Sequence, residues 1–265
     1  MAFSHSLNNS DLDNSDLDSS DLQHPTPRQL ARQRLIVALD APTADAALAI
    51  VDRLEGQCQW FKVGLELYVA VGPSIVQQLV SRGHSIFLDL KLHDIPNTVA
   101  AAVRSTASLG ASMLTIHAAG GPSMLSAAHE AVVTMAHPPQ LLAVTVLTSM
   151  NQQQVTAIGL PRSPGEQVTL LAKMGMEAGI RGFVCSPQEV ATLRDITGPE
   201  GVLVIPGIRP TGANQGDQQR IATPAQAMQQ GASYLVVGRP ITQAPDPARA
   251  AELILEEIAA AISPS

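Results

Sequence analysis

Ser85-Ile-Phe-Leu-Asp-Leu-Lys-Leu-His-Asp-Ile-Pro-Asn-Thr98 begins as a short apolar run, Ser85–Leu90, and leads into an Ala-rich stretch, Thr98–Leu109, that stops at Gly110. A brief, nearly continuous apolar run reads as a strand buried on both faces. The Ala-rich segment has helical spacing, and a glycine just past its end is a common C-terminal stop. The same order recurs along the chain. Further runs are Leu35–Leu39, Trp60–Val63, Met113–His117, Leu141–Leu147, Gly182–Cys185, Val202–Ile205 and Tyr234–Val237, making eight in all. Between them, Ala44–Leu54 and Pro224–Gln230 read as helices, and a final helix is expected from Pro247 to about Ile262 with Asp246 as its cap. Alternating strands and helices specify a parallel sheet with right-handed crossovers. Eight such units predict a single-domain α/β fold, a closed (β/α)₈ barrel, with an open doubly wound sheet as the architectural alternative. In a barrel, chemistry collects at the C-terminal ends of the strands.

Composition fits that reading. Of 265 residues, 45% are hydrophobic and only 3% aromatic, so the core must be aliphatic. The net charge of −7 argues against a nucleic-acid binder, which needs a clustered basic face. Cys58 and Cys185 are too few for a disulfide framework and suit a cytoplasmic protein. No apolar run is long enough for a membrane span. Residues 1–28 carry the near-repeat Asn9–Leu22 and read as a disordered polar leader, leaving 29–265 as the barrel domain.

Polar residues interrupt the apolar runs where a barrel would open. The first run ends in Asp40, the second contains Lys62, and the third meets Asp89, Lys91 and Asp94. Asp89 and Lys91 are two apart, so strand periodicity sets both on the face that holds Phe87. Burying a charge is costly unless it is paired, and the alternating signs would let the five groups form a chain. Structural ion pairs at the rim are the plain reading. Gathered at three consecutive strand ends, the charges favour chemistry. At the other end of the chain lie Pro206-Gly207-Ile208-Arg209-Pro210 and Gly238-Arg239-Pro240. Loops after the seventh and eighth strands commonly hold phosphate, with glycine admitting the anion and a guanidinium donating to it. Thr148 and Ser149, after the fifth run, suit either a polar ring edge or a helix cap. His117 has no partner at metal spacing, and His93 reads as structural.

The segment Asp89–Thr98 resembles the signature of the orotidine 5′-phosphate decarboxylase family. The similarity extends through Leu39-Asp40, Phe61-Lys62-Val63-Gly64, Val146–Ser149, Pro206–Pro210, Gly216-Asp217-Gln218 and Val237–Pro240, covering the chain from about Arg34 to its end. The proline–arginine and Gly-Asp-Gln elements resemble the bacterial branch, and Leu92 stands where many bacterial members have Phe. The resemblance implies that Lys91 protonates C6 of the pyrimidine of orotidine 5′-monophosphate, and that Asp89 lies near the substrate carboxylate and organises Lys91. Asp40 and Lys62 would hold the ribose hydroxyls and complete the charge network. Thr148 and Ser149 would meet the pyrimidine edge, and Pro206, Arg209, Gln218, Gly238 and Arg239 the phosphate. Asp94, with Ile95 and Thr98, would reach a partner subunit's site in a homodimer. Neither metal nor organic cofactor is implied. The loop Pro210–Gln218 reads as a lid. A Mg²⁺-dependent sugar-phosphate decarboxylase or aldolase with the same Asp-x-Lys-x-x-Asp pattern, and a catalytically silent nucleotide-binding barrel, are the competing readings.

Overall fold

The computed structural model describes residues 25–54, 56–210 and 220–263. Eight strands follow one another around a closed barrel: β1 Leu35–Ala38, β2 Trp60–Gly64, β3 Ser85–Leu92, β4 Met113–His117, β5 Gln140–Val144, β6 Gly182–Val184, β7 Val202–Ile205 and β8 Tyr234–Val237. Each pairs in parallel with the next, and β8 closes on β1 through Leu35 opposite Leu235. This is the expected (β/α)₈ barrel, and closure excludes the open sheet.

The strands are apolar on both faces because both faces are covered. Inward-facing Ile36, Ala38, Phe87, Met113, Leu142, Val204 and Val236 fill the barrel as one cluster. Their neighbours Val37, Phe61, Ile86, Leu114 and Leu203 belong to a second, larger cluster shared with the helices. Fully burying one such side chain stabilises the fold by roughly 1.5–3 kcal/mol. The helix Pro247–Ile262 buries Ala251, Ile254, Leu255 and Ile258 at helical spacing. Asp246 caps it by accepting from the Arg249 N–H at 3.1 Å, as the sequence suggested. A helix Pro27–Arg34, closed by a capping box between Thr26 and Gln29, packs against it. That helix starts at Pro27, within the stretch read as leader; residues 1–24 lie outside the described residues.

Two strands end more than one residue away from the sequence reading. β5 stops at Val144 rather than Leu147. Thr145 still bonds Val184 O through its N–H (3.2 Å) and its hydroxyl (3.0 Å), after which the apolar chain leaves the ladder. β3 runs on to Leu92, but irregularly. Leu88 pairs with Leu114 and Leu92 with Ile116, so β3 spends two more residues than β4 over that step. Within this bulge Lys91 has φ +52°, the sole left-handed non-glycine among the described residues.

The floor of the barrel is built for cohesion. Trp60 and Tyr234 meet edge to face at 5.2 Å. Arg194 donates to the carbonyls of Gly198 (2.7 Å), Gly201 (2.7 Å) and Gly231 (2.6 Å) and to the Ser233 hydroxyl (3.0 Å), tying together the turns that lead into β7 and β8. Both cysteines are buried and unbridged. Burial pushes the Cys58 thiol up to about 12, against the opposing pull of Arg32, and raises Cys185 likewise. No described helix is long and apolar enough to cross a membrane.

Candidate active site

The inward-facing series of the strands change character as they reach the mouth. Ile36 and Ala38 lead to Asp40, Trp60 to Lys62, Phe87 to Asp89 and Lys91, Val204 to Pro206, and Val236 to Gly238. Period-two alternation carries each series from the packed interior to the rim. There, a cavity of about 250 Å³ is lined by Asp40, Lys62, Asp89, Lys91, Thr148, Pro206, Arg209, Gly238 and Arg239, over a base of Ala38, Phe87, Val144, Val184 and Val236.

On one wall the charges alternate. Lys62 Nζ lies 3.0 Å from Asp40 Oδ1 and 3.9 Å from Asp89 Oδ2, and Lys91 Nζ donates to the same Asp89 oxygen at 2.8 Å. Asp89 and Lys62 are largely buried, with side chains 14% and 12% exposed; Lys91 is 32% exposed and turns toward the opening. Two carboxylates and two ammoniums thus neutralise one another in a partly dry site, which makes the burial tolerable. Gly64 leaves room beside them, since a Cβ there would stand 2.7 Å from Lys62 Nζ and displace the ammonium.

Thr115, which the sequence reading passed over, completes the wall. Its hydroxyl donates to Asp89 Oδ1 at 3.0 Å and accepts from the Lys91 N–H at 2.8 Å. One side chain therefore fixes the carboxylate and holds the bulged backbone that aims the ammonium. A threonine inside the apolar run Met113–His117 was the available sign. His117, at the end of the same strand, stacks on His93 with ring centroids 5.3 Å apart. Burial first, then the charges of His93 and Lys91, lower its pKa.

The lining after β7 and β8 is cationic. Arg209 is buried, its Nη1 donating to Ile208 O at 2.9 Å. Burial, and secondly the nearby Arg239 guanidinium, lower the Arg209 pKa. Two guanidiniums set against each other at a cavity wall suit an anion between them.

Other sequence candidates lie off this cavity. Asp94, Ile95 and Thr98 are exposed, and the Asp94 carboxylate accepts from the Ile95 N–H at 2.6 Å. The expected five-membered charge chain therefore ends at Lys91. Ser149 is exposed and outside the lining, while its neighbour Thr148 is within it. Gln218 and nearly all of the expected lid Pro210–Gln218 lie outside the described residues. Among the described residues, no group of three or more His, Cys, Asp or Glu side chains is arranged to hold a metal ion.

A family model described as "Orotidine 5'-phosphate decarboxylase / HUMPS family" matches residues 33–254. The chain belongs to this family. The matched span takes in every strand and both walls of the cavity. A relative from Nitrosococcus oceani, named orotidine 5′-phosphate decarboxylase, is 52% identical over 86% of this chain and 99% of its own length. Another of that name, from Moorella thermoacetica, is 48% identical over 87% and 94%. The crystal structure of an orotidine 5′-phosphate decarboxylase from Lactobacillus acidophilus superposes with a TM-score of 0.76 at 39% identity, covering 85% of this chain and 99% of that one.

Proposed function

We propose that this chain is an orotidine 5′-phosphate decarboxylase, converting orotidine 5′-monophosphate to UMP and CO₂ in pyrimidine biosynthesis. The observation that carries the reading is the meeting of two unlike charged groups in the lining of one small cavity. The Asp40–Lys62–Asp89–Lys91 chain shares the lining with Arg209 and Arg239. Relatives sharing about half their residues with this chain bear that enzyme's name.

The phosphate would rest against Pro206, Arg209, Gln218, Gly238 and Arg239, the ribose hydroxyls on Asp40 and Lys62, and the pyrimidine edge on Thr148 and Ser149. C6 and its carboxylate then face Asp89 and Lys91. When the bond from C6 to the carboxylate breaks, its electron pair stays on C6 and CO₂ departs. The carbanion is a vinyl type with no carbonyl placed to delocalise it, so stabilisation must come from a fixed positive charge nearby. The Lys91 ammonium supplies that charge and then transfers a proton to C6. Asp89 holds the ammonium in place, and Thr115 holds Asp89. Both carboxylates on this wall already have ammonium partners, so the charge balance of the site needs no divalent cation. Asp94, Ile95 and Thr98, exposed and off their own cavity, are suited to complete a partner subunit's site in a homodimer. A cytoplasmic location belongs to the same reading.

The test is CO₂ release from orotidine 5′-monophosphate in EDTA, with Lys91→Ala alongside. Wild type should turn over, and the variant should lose roughly 10⁴-fold or more in kcat, since both charge stabilisation and proton transfer go. Absence of turnover by folded wild type, or activity that depends on added Mg²⁺, would refute the assignment.

A further inference from the structure

Arg220 and Glu189 form a buried ion pair away from the reacting groups, and nothing in the chemistry above uses it. Each residue is only 6% exposed. Arg220 Nη1 meets Glu189 Oε1, and the other carboxylate oxygen accepts from both the N–H (3.2 Å) and the hydroxyl of Ser186. Arg220 Nη2 donates to Leu147 O at 3.1 Å, and Leu147 immediately precedes Thr148. Two residues beyond Arg220, Ala222 O accepts from the Arg209 N–H at 3.0 Å, beside a bridge between Ile208 and Ala222. A continuous path therefore runs from Arg209 on the cationic wall, through Ala222 and Arg220, to Leu147 and Thr148.

Apolar residues would serve stability at this position at least as well, because removing two charges from water offsets much of their attraction. What such a pair adds is a fixed arrangement: a guanidinium has donors in a rigid fork, and each one used removes a freedom of the segment it touches. The fork here spans three separate connections, after β5, β6 and β7.

We infer that Arg220 and Glu189 are positioning residues that couple the phosphate side of the cavity to the base side, so that seating an anion against Arg209 orders the Thr148 turn. The inference rests on the decarboxylase reading for its substrate but not for its geometry. It makes part of the phosphate's binding energy available at the distant ring, which is how a remote group accelerates a reaction it does not touch.

Two measurements test it. The first compares kcat/KM for orotidine 5′-monophosphate and for orotidine, which lacks the phosphoryl group, in wild type, Arg220→Lys and the double variant Glu189→Met/Arg220→Met. The double variant removes both charges together and so avoids stranding a buried one. The preference for the phosphorylated substrate should fall about tenfold in the double variant and about threefold in Arg220→Lys. A purely structural role would lower both substrates by one factor, and an unchanged preference in folded variants overturns the inference. The second is amide exchange at residues 147–149 with and without saturating inorganic phosphate. Phosphate should slow exchange in wild type and have at least threefold less effect in Arg220→Lys. Phosphate binding that leaves wild-type exchange there unchanged also overturns the coupling, whatever substrate the enzyme takes. Wild type that slows exchange but leaves orotidine 5′-monophosphate intact would sink the decarboxylase reading alone.

Discussion

At the floor of the barrel Arg194 is surrounded by acceptors, its donors taken up by backbone carbonyls and a serine hydroxyl of the same chain. At the mouth Arg209 lies beside Arg239, whose guanidinium disfavours the charge on Arg209. Backbone conformation follows the same division. The floor turns take left-handed φ only at glycines such as Gly198 and Gly231, whereas the mouth has Gly207 there and also Lys91, at a φ of +52° that a side chain resists. One end of the fold spends its polar groups on cohesion, and the other keeps opposed and strained groups where a ligand can use them.

Substitutions at the two ends should therefore separate activity from stability. After Lys91→Ala, Arg239→Ala should have the largest effect, lowering kcat/KM for orotidine 5′-monophosphate by about 10²-fold through loss of a charge-assisted contact to phosphate. Steady-state kinetics would check it, and a loss below threefold would remove Arg239 from the phosphate side. Arg194→Met should do the opposite. It strands several carbonyls, costing about 3 kcal/mol, which corresponds to a Tm lower by roughly 6–12 °C at this chain length. The kcat/KM of the folded enzyme should stay within twofold of wild type; a larger fall would erase the contrast between the ends.

The strain at Lys91 gives a smaller and sharper expectation. Glycine in a strand is ordinarily less stable than alanine by about 0.5–1 kcal/mol. At left-handed φ a side chain costs about 1–2 kcal/mol. Lys91→Gly should therefore be more stable than Lys91→Ala, by about 1 kcal/mol, although both lack the ammonium. Thermal unfolding of the two inactive variants decides it, and the usual order would mean that the bulge relaxes without cost.

The smallest effect concerns pH. The His117 pKa is lowered in the fold, chiefly by burial, from an ordinary value of 6.5. Below about pH 6.5 the unfolded chain therefore binds a proton that the folded one resists, so stability is lost as pH falls from there and is fully present above it. Tm measured between pH 8 and pH 5 should decline less in His117→Gln than in wild type. Parallel profiles would show that His117 makes no contribution.

Much of this arrangement was legible because barrel strands alternate strictly. Asp40, Lys62, Asp89 and Gly238 follow at two-residue steps from interior apolar residues, so sequence parity alone puts them at the mouth. Lys91 also reaches that face, but through a bulge that no glycine or proline announces, so its strain was hidden. Thr115 escaped notice because a threonine within a strand is ordinary β-forming sequence. The Arg220–Glu189 pair joins residues 31 apart, and only closure of the barrel brings their connections together. The fifth strand was drawn too long because Val146 and Leu147 stay apolar after leaving the ladder; they line the cavity instead. Asp94 was placed in the charge chain by its sign and spacing, yet within its own chain its carboxylate is exposed and accepts from the Ile95 N–H.

The two buried thiols have a practical consequence. Alkylation proceeds through the thiolate, and burial keeps Cys58 and Cys185 protonated across the neutral range. The native molecule should thus react little with maleimides as it stands. A cysteine introduced at exposed Ser149 would be the single reactive position, and a fluorophore attached there would sit beside the mouth of the cavity without any need to remove the native sulfurs.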